Sequence, residues 1–343
     1  DLTLAYQVFE EGRAFVLALN KWDLVADKKK TMTQMTPAQA RVVNPVLTTV
    51  AQGYKNAAMV GMSIFPFVPT GVRGGKIITF GKEDFQIYAT GRTPGSNTKR
   101  IQFGYSGDNY ALEQHALEGV LPIENMQEAQ VVPGINMGRT TINKTQKAIR
   151  LRLEKAQADL AINPAKYQST NKLALSGSSK WSDYANSDPI GDVGDARSSV
   201  RTQIGLRPNV GVIGGAAWDV LKNHPKITDR IKYTSRDTAT PELVASLFEL
   251  DQLLVGDAVY ADVTGGFRDV WGKNMVLAYS ELGTVADQGT PTFGYTYQLE
   301  NYPLVEEPYF DRPSKSWVYP VTDEVQPVIA GPSAGFLLSD LVD

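Results

Sequence analysis

Apolar residues recur along this chain with two different periods, and each period outlines a different kind of element. Between residues 140 and 162 the spacing is helical. Ile142, Ile149, Leu153, Ala156 and Leu160 form one stripe, with Lys147, Arg150, Arg152, Glu154 and Lys155 as the solvated face. Thr140 or Thr141 is the expected N-cap, and Asn163-Pro164 the stop, because the residue before proline avoids helical geometry. Further upstream the period is two. Phe85 and Ile87 alternate with Gln86 and Tyr88, and Ile101, Phe103 and Tyr105 alternate with Arg100, Gln102 and Gly104. Arg92-Thr93-Pro94-Gly95-Ser96-Asn97 lies between the runs and carries turn chemistry, so the pattern predicts a β-hairpin. An isolated hairpin is only marginally stable in water. This one therefore needs its own domain or a neighbouring subunit to lie on.

The remaining pattern predicts an α+β fold. Residues 33–64, with Pro37 and Pro45, read as an extended arm with a short helix near Pro45–Ala58. Asp195–Gly205 reads as a helix, Asn209–Ile213 as a buried strand and Ala216–Asn223 as a helix closed by His224-Pro225. Thr240-Pro241-Glu242 opens a helix to Leu250 with a hydroxyl cap, a proline at the first position and a first-turn acid. Strands follow at Leu253–Val255, Met275–Tyr279, Phe293–Leu299, Trp317–Val321 and Val328–Gly331.

Composition narrows the chemistry. The 343 residues contain no Cys and two His, which excludes disulfides and thiolate sites and disfavours His-based triads or metal clusters. Lys+Arg of 34 against Asp+Glu of 37 leaves a net charge of −3, whereas an electrostatic nucleic-acid binder is normally basic. No apolar run approaches the roughly 20 residues of a membrane span, and the N-terminus lacks signal-peptide order. The reading is a soluble, intracellular protein with no enzymatic machinery.

Individual motifs agree. Gly331-Pro332-Ser333-Ala334-Gly335 matches a nucleophile elbow, but no His follows it, so it reads as a C-terminal loop. His224 is expected at a helix C-terminus, where a cation is mildly stabilising; His115, among Glu113, Gln114 and Glu118, is expected either to meet a carboxylate or to lie on a surface helix. Asp183, Asp188, Asp192 and Asp195 miss calcium-loop spacing, so no metal and no cofactor is expected.

Residues 1–30 differ from the rest. The apolar run Ala14–Leu19 leads into Asn20-Lys21-Trp22-Asp23, and Glu10-Glu11-Gly12-Arg13 precedes it. This segment resembles the tandem-domain ribosome-assembly GTPases of the Der family, where Asn-Lys-x-Asp reads guanine. A G domain needs a phosphate loop upstream, and none precedes this motif. Downstream, Gly71-Val72-Arg73-Gly74-Gly75-Lys76-Ile77 has the wrong spacing and no hydroxyl after the Lys. Asn20, Lys21 and Asp23 are thus a vestigial guanine motif, and residues 1–31 read as a fused leader.

From about residue 32 onward the chain resembles the lambda-type major capsid proteins of tailed bacteriophages, whose fold is shared by herpesvirus shells and encapsulins. The resemblance rests on an ordered series. It includes Phe65-Pro66-Phe67-Val68-Pro69, the Arg92–Gly95 turn, Glu128–Gly134, Leu175-Ser176-Gly177, Trp181–Tyr184 and Asn186–Ile190. It continues with Gly205–Asn209, Ala217–Leu221 with His224-Pro225, Val255–Ala258 and Val270–Lys273.

The resemblance implies an N-terminal arm (32–64), an extended loop (65–107), a peripheral domain (108–175 and 295–343) and an axial domain (176–294). It implies a structural protein that self-assembles into hexamers and pentamers of an icosahedral head enclosing double-stranded DNA without sequence-specific binding, with an encapsulin-like compartment as the alternative. Scaffold, portal and decoration proteins are the implied partners. The implied location is the virion, with host cytoplasm during assembly. The basic residues Arg73, Lys76, Lys82, Arg92, Lys99 and Arg100 are the candidate inter-subunit contacts.

Overall fold

The computed structural model describes residues 59–76, 109–130, 136–231, 239–262, 265–281 and 292–343. The expected arm helix and the alternating runs at 85–88 and 101–105 lie outside them. The first part of the described chain gives β1 (Phe67–Thr70), β2 (Gly74–Lys76), β3 (Asn109–Ala111), β4 (Glu113–Pro122), α1 (Ile123–Gln130) and α2 (Met137–Ala161). The middle gives β5 (Lys172–Ala174), α3 (Pro189–Ile204), β6 (Val210–Gly214), α4 (Gly215–Leu221), α5 (Pro225–Ile231) and α6 (Pro241–Leu247). Then come β7 (Gln252–Gly256), β8 (Val259–Ala261), β9 (Phe267–Asp269) and β10 (Met275–Ala278). The last part holds β11 (Gly294–Leu299), β12 (Leu304–Val305), β13 (Tyr309–Asp311), β14 (Ser316–Ile329) and β15 (Gly335–Ser339).

Two sheets organise these elements. The first is built on β14, which pairs antiparallel with β4 along one edge and with β11, β12 and β13 along the other. Strand β1 extends it by a parallel pairing with β11. The second is mixed, in the order β5-β15-β10-β6-β7. In it β6 and β10 are buried at every position, so they read as continuous apolar runs rather than alternations. The C-terminal strand β15, expected with 295–343 beside the first sheet, instead pairs with β10 and β5 in the second. Its Leu337 and Leu338 are fully buried there.

Helix α2 lies on the first sheet, and its start corrects the expected cap. Asn136 is the N-cap, its side chain accepting from the Arg139 N–H at 3.0 Å. Thr140 and Thr141 instead donate their hydroxyls back to the Asn136 and Met137 carbonyls, four residues earlier, and so sit inside the helix. The helix approaches β4 closely at Gly119, where an added Cβ would meet Thr141 and Thr145. Helix α3 starts six residues before the expected Asp195, at Pro189 after Asp188, and ends on Gly205 with φ +71°.

The main apolar core surrounds the second sheet and includes Trp181, Trp271, Phe65 and Phe293, each almost wholly buried, while Ile142, Ile149, Val305 and Val321 form a smaller separate cluster between α2 and the first sheet. Phe293 joins the two sheets through the backbone: its N–H donates to the Tyr279 carbonyl, and its carbonyl accepts from Ala330. Its ring packs on Phe65 and Tyr167 at centroid distances of 5.5 and 5.8 Å.

Glycine substitutions test this packing. A Cβ at Gly214 would overlap the Gly272 carbonyl oxygen, a backbone atom. Gly214→Ala is expected to lower the unfolding free energy by about 1–3 kcal/mol or more. Gly194, inside α3 with open space around its Cβ position, is expected to gain about 0.5–1 kcal/mol as Ala. Urea melts of the two variants check the opposite signs.

Candidate assembly site

Of the expected contact residues, Arg73 and Lys76 are described, and they stand at the root of the loop expected over residues 65–107. At the root of this loop β2 pairs antiparallel with β3, in register Gly74↔Ala111 to Lys76↔Asn109. Glycine is needed at position 75 because the Tyr110 ring crosses there, leaving no room for a Cβ. That ring stacks on Tyr297 of β11 at 4.2 Å, the two planes nearly parallel, so the root rests on the sheet through an aromatic pair. Tyr110, Ala330, Leu112, Tyr295, Tyr297 and Val328 form a small separate apolar cluster around it.

A second fastening is ionic. Arg73 donates Nε and Nη2 to the two carboxylate oxygens of Glu324, at 2.7 and 3.0 Å, a planar fork-to-fork pair. Glu324 is 3% exposed and Arg73 is 59% exposed, so the guanidinium arm reaches down from solvent onto a buried acid of β14. The hydrogen bond and charge of Glu324 raise the Arg73 pKa further above its usual value. Arg73 is thus engaged within its own subunit. Lys76 sits at the end of β2 and is exposed. Lys82, Arg92, Lys99 and Arg100 lie outside the described residues.

The segment leading into this loop is held from the other side by α2. Glu154, read from the sequence as part of a solvated face, is 2% exposed. Its carboxylate accepts from Val60 N–H at 2.9 Å, from Gly61 N–H at 3.0 and 3.1 Å, and from Trp271 Nε1 at 2.7 Å. Gln157 adds a bond to Thr296 Oγ1 at 2.8 Å, and Thr296 donates to the Phe65 carbonyl. Arg150, expected in solvent, is 8% exposed, with its guanidinium 5.0 Å from the Phe67 ring centroid and Asp323 nearby. The correction has one cause. At 25 residues α2 is longer than its apolar stripe suggests, and it meets sheet and entry segment on two sides. Polar side chains in the second contact satisfy backbone donors that no Leu could satisfy.

Both histidines also depart in part from expectation. His115 lies on strand β4, not on a helix, beside Arg152 and Glu113. His224 is fully buried rather than a solvated helix-end cation, and burial lowers its pKa so that it stays neutral. Its Nδ1 accepts from Lys226 N–H, which leaves Nε2 as the donor to Ser187 Oγ at 3.0 Å. Ser187 passes its own proton to the Asp183 carbonyl. In this arrangement the imidazole cannot take a proton from the serine, so the Ser–His pair is a structural bridge and not a nucleophile with its base.

The acidic residues near it serve the local fold. Asp183 accepts from its own turn, Asp192 from Trp181 Nε1, and Asp188 pairs with Lys226. Among the described residues no group of three or more His, Cys, Asp or Glu side chains is placed to hold a metal ion. No described helix is long and apolar enough to cross a membrane. Ser333 lies in a short 3-10 turn that leads directly into β15, so the elbow-like motif is less of a loop than its sequence suggests.

Comparisons with known proteins agree with this non-catalytic geometry. The family described as Phage major capsid protein E matches residues 164–315. The chain is 37% identical over 308 residues to the major capsid protein of Burkholderia phage BcepMu, covering 89% of this chain and 98% of that one. A crystal structure of a phage-related protein from Bordetella bronchiseptica RB50 is 42% identical and superposes with a TM-score of 0.75, covering 88% and 98% of the two chains. The capsid structure of cyanophage P-SCSP1u is 10% identical with a TM-score of 0.56, covering 95% and 99%, a likeness of fold alone. The GTPase-like segment with Asn20, Lys21 and Asp23 lies outside the described residues, and these relatives lend it no support.

Glu154 gives a pH test. Burial outweighs its three donors and pushes its pKa above the usual carboxylate range. The folded state therefore holds this proton more tightly than the unfolded chain. The corresponding stability is present at pH below about 4.5 and is lost as pH rises through the folded pKa. Glu154→Gln turns an amide N–H₂ toward backbone donors. It is expected to cost about 1–3 kcal/mol and to flatten that pH slope, read from urea melts across acidic pH.

Proposed function

The chain belongs to the phage major capsid protein family, and from that premise we propose how its parts build a shell. It is a structural, non-enzymatic protein of a phage or prophage head, located in the virion capsid, and copies of it self-assemble. In our reading they form hexamers and pentamers around double-stranded DNA, after assembly in the host cytoplasm with scaffold and portal proteins and with decoration proteins on the finished shell. Residues 65–107 serve as the extended loop and 32–64 as the arm. The first sheet with α2 is the peripheral domain, and the second sheet with α3 to α6 the axial domain, to which β5 and β15 also belong. Arg73 anchors the loop within its own subunit, which leaves Lys76, Lys82, Arg92, Lys99 and Arg100 for contacts between subunits.

The observation that carries this reading is the double fastening of the loop root, Arg73–Glu324 on one side and Tyr110–Tyr297 on the other. A loop between fixed ends can be reached by a neighbour at low entropic cost, because its anchors are ordered before contact. One subunit serving both six-fold and five-fold positions must tolerate several angles, and many modest contacts per subunit supply the avidity. The mild net charge of −3 suits a DNA container, since a strongly basic surface would hold nucleic acid before closure.

Replacing residues 77–108 by a short Gly-Ser linker between Lys76 and Asn109 tests the reading, since β2 and β3 already hold those ends together. The expected product is a folded subunit with an unchanged circular-dichroism melt that gives no shells in negative-stain electron microscopy. The unaltered chain gives closed particles. Regular shells from the shortened chain at normal yield would overturn the role assigned to the loop.

A further inference from the structure

Strand β4 is an edge. It pairs with β14 at ten consecutive positions, and among the described residues nothing pairs with its other side. Its exposure follows that of an edge rather than of a half-buried strand. Ala116, Leu117 and Glu118 are exposed in succession, although neighbouring residues point to opposite faces. Leu117 is 46% exposed on the face that α2 covers, and Val120 is 55% exposed on the other. An exposed edge of this length without Lys, an internal Pro or a bulge offers a ready ladder of backbone donors and acceptors.

We infer that the β4 edge is an interface in which a second copy of this chain adds its own β4, antiparallel, about a two-fold axis centred on Leu117. The inference rests on the shell-forming reading above and goes further, assigning one contact surface. The register follows from geometry and charge. A two-fold axis normal to the sheet keeps every side chain on its own face, so the axis must pass through a residue. Only Leu117 and Glu118, at the middle of the strand, leave nearly the whole ladder paired. Centring on Glu118 opposes two carboxylates, which is destabilising.

Centring on Leu117 sets the two exposed leucines together, Ala116 against Glu118, His115 against Gly119 and Gln114 against Val120. The strand ends are complementary as well. Ile123 N–H donates to the Lys315 carbonyl, so Lys315 stands just beyond the C-terminal end of β4. Glu113, 61% exposed, stands at the other end. Antiparallel pairing brings the Glu113 end of each copy to the Lys315 end of the other. Helix α2 leaves room for this. Between Thr145, which packs on Gly119, and Arg152, which touches His115, its exposed residue nearest the axis is the small Ala148.

The chain contains no Cys, which makes disulfide trapping unambiguous. Opposed residues of an antiparallel pair stand about 4.5–5.5 Å apart at Cα, within disulfide reach. Leu117→Cys is therefore expected to give a covalent dimer as the main band on a non-reducing gel after mild oxidation. Val120→Cys alone stays monomeric, because its copies lie six residues apart across the axis. The double variant Gln114→Cys/Val120→Cys again dimerises. If Leu117→Cys cross-links no better than Val120→Cys, and the double variant also stays monomeric, the pairing is wrong. Electron microscopy of the unaltered chain reads the shell-forming role separately. Particles without the cross-link overturn this interface and leave that role standing. The cross-link without particles overturns that role and leaves the pairing.

Discussion

The fold depends on a carboxylate that has no cation beside it. Glu154, in the middle of α2, accepts hydrogen bonds from the backbone of Val60 and Gly61 and from the indole of Trp271, and so joins the entry segment, the long helix and the second sheet at one point. Taking an ion out of water costs several kcal/mol; the three donors recover part of that cost, and the remainder shows as the raised pKa of Glu154. The surroundings show how tight the arrangement is. Gly61 lies against Gln157 and Glu154, and Gly256 against the Trp271 ring, so that in each case a side chain would displace the partner that orients the carboxylate.

Around this point the molecule separates rigid from adaptable parts. The centre of the second sheet is apolar, with β6 and β10 wholly buried and closely packed. The first sheet meets α2 through a small apolar cluster of Ile142, Ile149, Val305 and Val321, beside which the polar Gln146, Arg150, Gln157 and Asp323 are also buried. Gln298 Nε2 reaches Asp323 at 2.8 Å, yet several atoms of this layer, including both ends of the Gln146 amide, have no partner among the described residues. The β4 edge belongs to this sheet, and the loop root rests on it through Tyr110–Tyr297 and Arg73–Glu324.

The sequence made α2 legible because its apolar stripe has the helical period, and made β6, β7 and β10 legible because continuous apolar runs between turn residues suit a buried sheet. The site was legible only in part. Arg73 stood out by charge, yet its partner Glu324 lies 251 residues away, a separation that no local pattern reports. Arg150 and Glu154 read as solvent-facing, because a charge opposite an apolar stripe is usually wet. A helix contacted on two sides defeats that rule. His115 can read as helical because Glu113, Gln114 and Glu118 suit a helix. Its true strand is imposed by ten pairings with β14, a tertiary override of local preference.

By itself, the sequence determined the chemistry this protein lacks and the family it resembles. Absent cysteines and scarce histidines are properties of composition, and an ordered series of motifs survives any misreading of a single element. The tertiary structure alone decided which charges are buried, which strand forms an edge and which segments fasten the loop. Those outcomes depend on contacts between residues far apart in the chain. Whether a carboxylate meets water or three N–H donors is settled only when the segments carrying those donors have packed against it.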